Sequence, residues 1–332
     1  MHPRRVESAG VRFFVPAEGQ PHFTTVTTCS RWFEHLGFRF EVHANSEDTF
    51  AFASQVLGPA VEAGEAPDFT LNLIVINEES PEGRRRIYSH LHAGQFVIHV
   101  APSSAVAVPE TRSVTAYLNP QDLQTPFIAG RCLVERAVQH LTLLDRRRYA
   151  LHAAAVALDD RALALLGESG TGKSTLAYTA ARNGFAYLSD DLLSRPIGEG
   201  SGRIYGNSNL LYLERDAVER FPELPPPTGR IPELRVHMPD LQPTPALVRE
   251  ATLAGFVVLK RDTKPELRPL AAQTVIDLVR DDVTYQRAVD DPIVADIMRD
   301  LTELLTKAPA WELTVGPDPD AAVPLLRSCL AN

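Results

Sequence analysis

Cysteine is scarce in this sequence: 332 residues hold three, Cys29, Cys132 and Cys329, with no paired or metal-ligand spacing among them. An odd, scattered set argues against a disulfide framework and suits a reducing compartment. Long apolar runs are missing as well. Nowhere do the roughly 18 consecutive apolar residues of a membrane span occur, and the opening "MHPRRVESAGVRFF" has basic residues but no apolar segment of signal-peptide length. The expectation is a cytoplasmic protein with no membrane partner. Basic excess is absent too: 33 Lys and Arg face 42 Asp and Glu, a formal net charge of −9. That excludes a general attraction to nucleic acid or anionic lipid. The short runs Arg84-Arg85-Arg86 and Arg146-Arg147-Arg148 are local exceptions and read as solvated surface. Internal repeats and low-complexity segments are not found.

What is present is ordinary globular composition, 44% hydrophobic and 23% charged, on a chain long enough for about two domains. From residue 10 to about 118, short apolar runs alternate with turns: "GVRFFV", "FRFEVHA", "FTLNLIVIN", "HLHAGQFVIHV" and "SVTAYLN" read as strands, and one helix is predicted near Phe52 to Ala63. Residues 1–128 are thus expected to form a strand-rich α+β domain without a catalytic motif. In it, His90 and His92 with nearby His99 could share a strand face, but no third ligand has a recognised zinc spacing. Residues 129–144, "AGRCLVERAVQHLTLL", have helical spacing and open the second domain, 129–332. There, two apolar runs flanking Asp159-Asp160-Arg161 predict a β-hairpin. Eight prolines between 222 and 245 predict an extended loop or lid. "LAGFVVLKR" and "WELTVG" read as strands, and "AAQTVIDLVRDDV", "DPIVADIMRDLTELLTK" and "DAAVPLLRSCL" as helices.

One stretch carries chemistry. Gly167-Glu168-Ser169-Gly170-Thr171-Gly172-Lys173-Ser174 matches G-x-x-x-x-G-K-[ST] in full, after the apolar strand "ALALL" and before the helix "STLAYTAARN". Glycines there let the backbone fold around an anion, so that successive N–H groups and the helix N-terminus point at phosphates. Lys173 is placed to reach the β and γ phosphates and the Ser174 hydroxyl to bind Mg²⁺, with Thr175 next to them in the nucleotide-binding run. The helix then travels about 15 Å away at 1.5 Å per residue, Gly184 stops it, and "FAYLS" returns about 16 Å at 3.3 Å per residue. Asp190 and Asp191 are therefore predicted beside the loop. Adjacent residues at a strand end point opposite ways, so one carboxylate is expected near the metal and the other toward the phosphoryl acceptor. His152, interrupting "YALHAAAVAL", lies on a strand expected next to the loop's own strand. A core histidine and an active-site histidine both fit that pattern.

The stretch "LHAAAVALDDRALALLGESGTGKSTLAYTAARNGFAYLSDDLL" resembles the catalytic domain of bacterial HPr kinase/phosphorylase and its relatives. Their pattern runs from a strand histidine through G-x-S-G-x-G-K-S to R-G-H-x-L-[IV]-A-D-D, for which "RNGFAYLSDD" stands here. The looser order after it is more similar to the HPr-kinase-like proteins found beside peptide-modification clusters. The resemblance implies an α/β P-loop kinase domain of the HPr kinase and phosphoenolpyruvate carboxykinase-like type, using ATP and Mg²⁺ to phosphorylate a serine hydroxyl. By position it makes Lys173 the phosphate ligand, Ser174 a metal ligand, Asp191 the proton acceptor, His152 an active-site partner and Asp190 a support for metal or its water shell. The family's second metal-binding Glu has only Glu214, in Leu213-Glu214-Arg215, to correspond to it.

The leading expectation is an ATP- and Mg²⁺-dependent kinase acting on a serine of a peptide or protein, or on a small-molecule alcohol; the alternative is a nucleotide-gated binding or scaffold protein. Arg203, Arg215, Arg230 and Arg235 are the candidate charge neutralisers. A GTPase lacks support because no N-K-x-D motif is present, and an ABC-type ATPase because no L-S-G-G-Q follows. A homo-oligomer is left open.

Overall fold

The computed structural model describes residues 7–8, 11–12, 29–76, 86–92, 94–124, 127–145, 147–227, 233–286 and 292–331. They form a mixed α/β fold with two large sheets. The first sheet has eight strands, in the order Ala60–Val61, Cys29–His35, Phe38–Ala44, Phe69–Val75, Ser113–Leu118, Ser103–Val108, Gln95–Val100 and Tyr88–His92. Alternation drives it: Phe38, Phe40, Val42 and Ala44 are buried on one face while their neighbours are not. The predicted helix begins four residues earlier than expected and spans Asp48–Leu57. Gly58, at φ 104, ends it and frees Ala60–Val61 to join the sheet. "HLHAGQFVIHV", taken as one run, folds back at Gly94 into two paired strands. Most of "GVRFFV" lies outside the described residues.

The helical segment Phe127–Val134, which is π-helical, and the following α-helix Glu135–Leu143 bury Ala129, Leu133, Val134, Ala137, Val138 and Leu141 in the first sheet's core. Residues as far as Leu141 therefore share the first sheet's core.

The second sheet runs Arg148–Leu151, Leu193–Pro196, Arg203–Gly206, Glu250–Arg261, Arg161–Leu166, Ala154–Leu158 and Ala186–Ser189, with Ala310–Val315 also on Glu250–Arg261 and Glu266–Leu270 beyond it. Arg161–Leu166 is covered on both faces: Leu163 and Leu165 pack with the helix Lys173–Arg182, while Ala162, Ala164 and Leu166 face the core shared with the helices Ala272–Gln286 and Ile293–Leu305. Burial on both sides explains why "ALALL" shows no polar alternation. Each buried leucine contributes about 1.5–3 kcal/mol to that layer.

Two segments depart from what their sequence predicts. The proline-rich region is not wholly a loop: Glu233–His237 is a strand paired antiparallel with Leu210–Glu214. Pro232 and Pro239 bracket it, so no proline interrupts its ladder. Nor is the second arginine run merely solvated. Arg148 donates from Nη2 to Gly37 O at 2.9 Å and its guanidinium lies over Phe38 and Tyr205, joining the two sheets, while Arg147 pairs with Asp145 and Asp68. Arg84, Arg85 and Arg146 lie outside the described residues. No helix among the described residues is long and apolar enough to cross a membrane.

Candidate active site

Strand direction brings the site together. Ala154–Leu158 is antiparallel to both Arg161–Leu166 and Ala186–Ser189. The latter two therefore run the same way, and both end at the edge where Ala154–Leu158 begins. Gly167–Gly172 follows the first strand end, Asp190 and Asp191 follow the second, and His152 precedes the middle strand. His152 is thus not inside a continuous strand as predicted. Arg148–Leu151 pairs with Leu193–Pro196 and Ala154–Leu158 with other strands, so the chain changes partners across His152 and leaves its side chain 43% exposed.

The loop has the backbone that its glycines foretell. Gly167, Gly170 and Gly172 have φ of 145, 80 and 97, conformations that side chains resist. A Cβ at Gly167 would stand 3.0 Å from the Leu259 carbonyl oxygen, whereas Gly170 has open space around it. Thr171 N–H and Oγ1 both donate to Glu168 O, closing the turn, and Leu176 N–H donates to Gly172 O at 2.8 Å to start the helix. Lys173 Nζ donates to the carbonyls of Gly167 at 2.7 Å and Glu168 at 3.2 Å. Burial lowers its pKa, with Asp191 and Asp282 opposing.

The two aspartates diverge. Asp190 is buried and accepts from Tyr212 N–H at 2.6 Å. Burial, with Asp191 adding to it, pushes its carboxyl up to about 7. Asp191 faces the cleft, accepting from His152 Nδ1 at 3.1 Å and Arg131 Nη1 at 3.3 Å. Burial alone would raise its carboxyl, but the His152 hydrogen bond and the Arg131 charge outweigh it and hold the group at about 2. The same bond raises His152 against the opposing effect of burial.

Around this edge lies a cleft of about 180 Å³. It is bordered by Ser169, Gly170, Gly172, Lys173, Ser174 and Thr175 from the loop and helix, by His152, Asp190 and Asp191, and by Tyr212, Leu213 and Glu214. A second cavity of about 790 Å³ adjoins it, sharing Gly172, Thr175, Glu214 and Arg261 and extending to Phe221 and Pro317.

The expected arginines are not the ones in the cleft. Arg203 pairs with Asp160 and Glu250 at the opposite end of the sheet. Arg235 is half-buried behind Tyr212, bonded to its hydroxyl and to Glu135. Arg215 does not border the cleft, and Arg230 lies outside the described residues. Arg131 and Arg261 border it instead, with Glu233. Nothing in "AGRCLVERAVQ" marks its first arginine as a site residue, because helical spacing reports only which face is buried.

Among the described residues, no group of three or more His, Cys, Asp or Glu is arranged to hold a metal. Oxygen donors on Ser174, Asp190, Asp191 and Glu214 do border one cleft. That set fits Mg²⁺, which takes one or two carboxylates plus phosphate oxygens rather than an all-protein cage. Asp190 is the least available of them, being buried and bonded to Tyr212 N–H.

No protein-family model and no curated protein matches the sequence. Among solved structures, the Hpr(Ser) kinase/phosphatase from Coxiella burnetii aligns over 99% of its own chain and 55% of this one, at 11% sequence identity and a TM-score of 0.29. A likeness at that level carries no functional argument.

Proposed function

We propose that the cleft transfers the γ-phosphoryl group of ATP to a hydroxyl, with Asp191 as the proton acceptor. One observation carries the reading: a carboxylate delivered by a separate strand borders the same cleft as the glycine loop and Lys173. A carboxylate in that position can take the proton of an attacking alcohol, the one proton transfer that phosphorylation of a hydroxyl requires.

In this reading the loop amides and Lys173 hold the β and γ phosphates, exchanging the Gly167 and Glu168 carbonyls for phosphate oxygens. The larger adjoining cavity takes the nucleoside. Ser174 and Glu214 are the open donors for Mg²⁺, with Asp190 behind them; the bound ion would neutralise charge on the phosphates. Asp191 takes the acceptor's hydroxyl proton as the acceptor oxygen bonds to the γ-phosphorus. The bond from that phosphorus to the bridging oxygen breaks, and its electron pair leaves on the diphosphate. His152, donating from Nδ1, fixes which way the carboxylate faces. A serine of a peptide or protein, or a small-molecule alcohol, is the acceptor class, and residues 1–128 are its proposed recognition unit.

The test is incubation with γ-labelled ATP and lysate from the source cell, followed by mass spectrometry of labelled species. Asp191→Asn should bind nucleotide nearly as the parent does and lower transfer by about 10²–10⁴. Full transfer by that variant would refute the assignment of the base; nucleotide binding with no labelled acceptor would favour a scaffold.

A further inference from the structure

We infer that Arg131 is the arginine that meets the transferring phosphoryl group, and that its ion pair with Asp191 keeps the site idle until that group is bound. The inference rests on the kinase reading and adds a control step to it.

Arg131 comes from outside the sheet that carries the loop. It lies on the π-helical segment Phe127–Val134, whose Ala129, Leu133 and Val134 are fully buried in the first sheet's core. π-helical turns are rare and concentrate at functional sites. This one anchors its backbone in the first sheet's core while its guanidinium reaches into the cleft beside the loop. There Nη1 is 3.3 Å from Asp191 Oδ2, Nε is 4.0 Å from Glu233 Oε2, and the guanidinium carbon sits 4.1 Å over the Tyr212 ring. Tyr212 is itself fixed, since its hydroxyl bonds Glu135 on the helix that continues the π-helical segment. The arginine keeps 27% of its side-chain exposure and borders the cleft beside Gly170 and Lys173.

A partly exposed ion pair adds little stability. This one also occupies the carboxylate that the proposed reaction needs. A γ-phosphoryl group beside Lys173 carries more negative charge than one carboxylate and offers the guanidinium a matching fork of oxygens. Arg131 then pivots on the Tyr212 ring from Asp191 to the phosphoryl oxygens. Two things change together: the transferring group gains a cation, and Asp191 is left with His152 alone, its Oδ2 free to face the acceptor hydroxyl. Arg131 exchanges no proton; the hydroxyl proton goes to Asp191 and the electron pair leaves on the diphosphate. With only a diphosphate bound, Arg131 stays on Asp191 and the site stays idle.

The full-length protein and its Arg131→Gln and Arg131→Lys variants would be titrated calorimetrically with Mg·AMP-PNP and with Mg·ADP. The expected result is at least a tenfold loss of AMP-PNP affinity in Arg131→Gln with ADP affinity held within threefold. Arg131→Lys should recover part, since it keeps the charge and loses the fork. Equal losses for both nucleotides, or no loss for AMP-PNP, overturn the inference. Failure of the parent protein to bind either nucleotide overturns both it and the kinase reading. Binding without transfer removes the kinase reading alone, and the contrast between the two nucleotides still decides the role of Arg131.

Discussion

Removing Asp300 should be the most damaging single deletion outside the cleft. The side chain is 5% exposed and accepts four hydrogen bonds: Arg195 Nε at 2.7 Å, Arg195 Nη2 at 3.2 Å, Tyr149 OH at 3.0 Å and Gly198 N–H at 2.9 Å. In Asp300→Ala, Arg195 keeps the carbonyls of Arg203 and Glu199, at 3.3 and 3.0 Å, and the neighbouring Tyr149 hydroxyl, all of them neutral. Its buried charge then has no anion, for which the cost is about 3–5 kcal/mol. At about 2 °C per kcal/mol for a large domain, the melting temperature should fall by roughly 5–10 °C. The double variant Asp300→Leu with Arg195→Met should recover more than half of the loss, because the expense lies in stranding the charge and not in lacking the pair. Thermal melts by circular dichroism of the parent, Asp300→Leu, Arg195→Met and the double variant close the cycle, with Asp300→Ala melted alongside. A loss under about 1 kcal/mol for Asp300→Ala, or a double variant worse than the sum of the two single ones, would refute the reasoning. There is a functional corollary. Arg195 sits on Leu193–Pro196, the strand that begins two residues after Asp191. Loosening it should therefore reduce transfer beyond what the melt explains, since a shift of about 1 Å in a reacting group can cost 10²-fold.

Three further outcomes follow from the loop and the aspartates. Gly167→Ala should cost about 1–3 kcal/mol in stability and weaken nucleotide binding, because the new Cβ meets a backbone carbonyl at 3.0 Å in a strained φ. Gly170→Ala, with open space, should cost less in a thermal melt, and equal costs would count against the steric account. Asp190 binds its proton more tightly folded than unfolded, so it favours the folded state increasingly as pH falls from about 7 toward 4. Asp190→Asn, which keeps an oxygen for Tyr212 N–H, should flatten that slope and melt higher at pH 8; an unchanged pH–stability curve would contradict this. Asp191 has the opposite sign: its carboxyl, held at about 2, contributes stability above its ordinary 3.8 that is lost as pH falls through that range, and Asp191→Asn should abolish that acid-side loss.

The legible part of this site is the part built from one contiguous stretch. Glycine spacing fixed the loop, and an out-and-back path of nearly equal lengths returned Asp190 and Asp191 to it; the shared direction of Arg161–Leu166 and Ala186–Ser189 is the structural form of that sum. Boundaries failed where a side chain or turn outweighed periodicity. His152 stands at a change of strand partners and not within a strand. Counting prolines as one loop hid a strand that two of them merely bracket. Arg148, one of three consecutive arginines, became a clamp only because Gly37, Phe38 and Tyr205 lie across from it. The illegible part is long-range in the same sense. Arg131 meets Asp191 across 60 positions of sequence, and no local pattern ranks it above the arginines of the proline-rich region. The split has a chemical meaning in the proposed reaction. The contiguous stretch supplies the loop, Lys173 and Ser174 that would hold the phosphates, whereas Arg131, Tyr212 and Glu233 arrive from elsewhere and stand on the Asp191 side of the cleft. Chains that share this loop can therefore differ in which hydroxyl they accept without any change in the loop, and the side chains to compare first are those three.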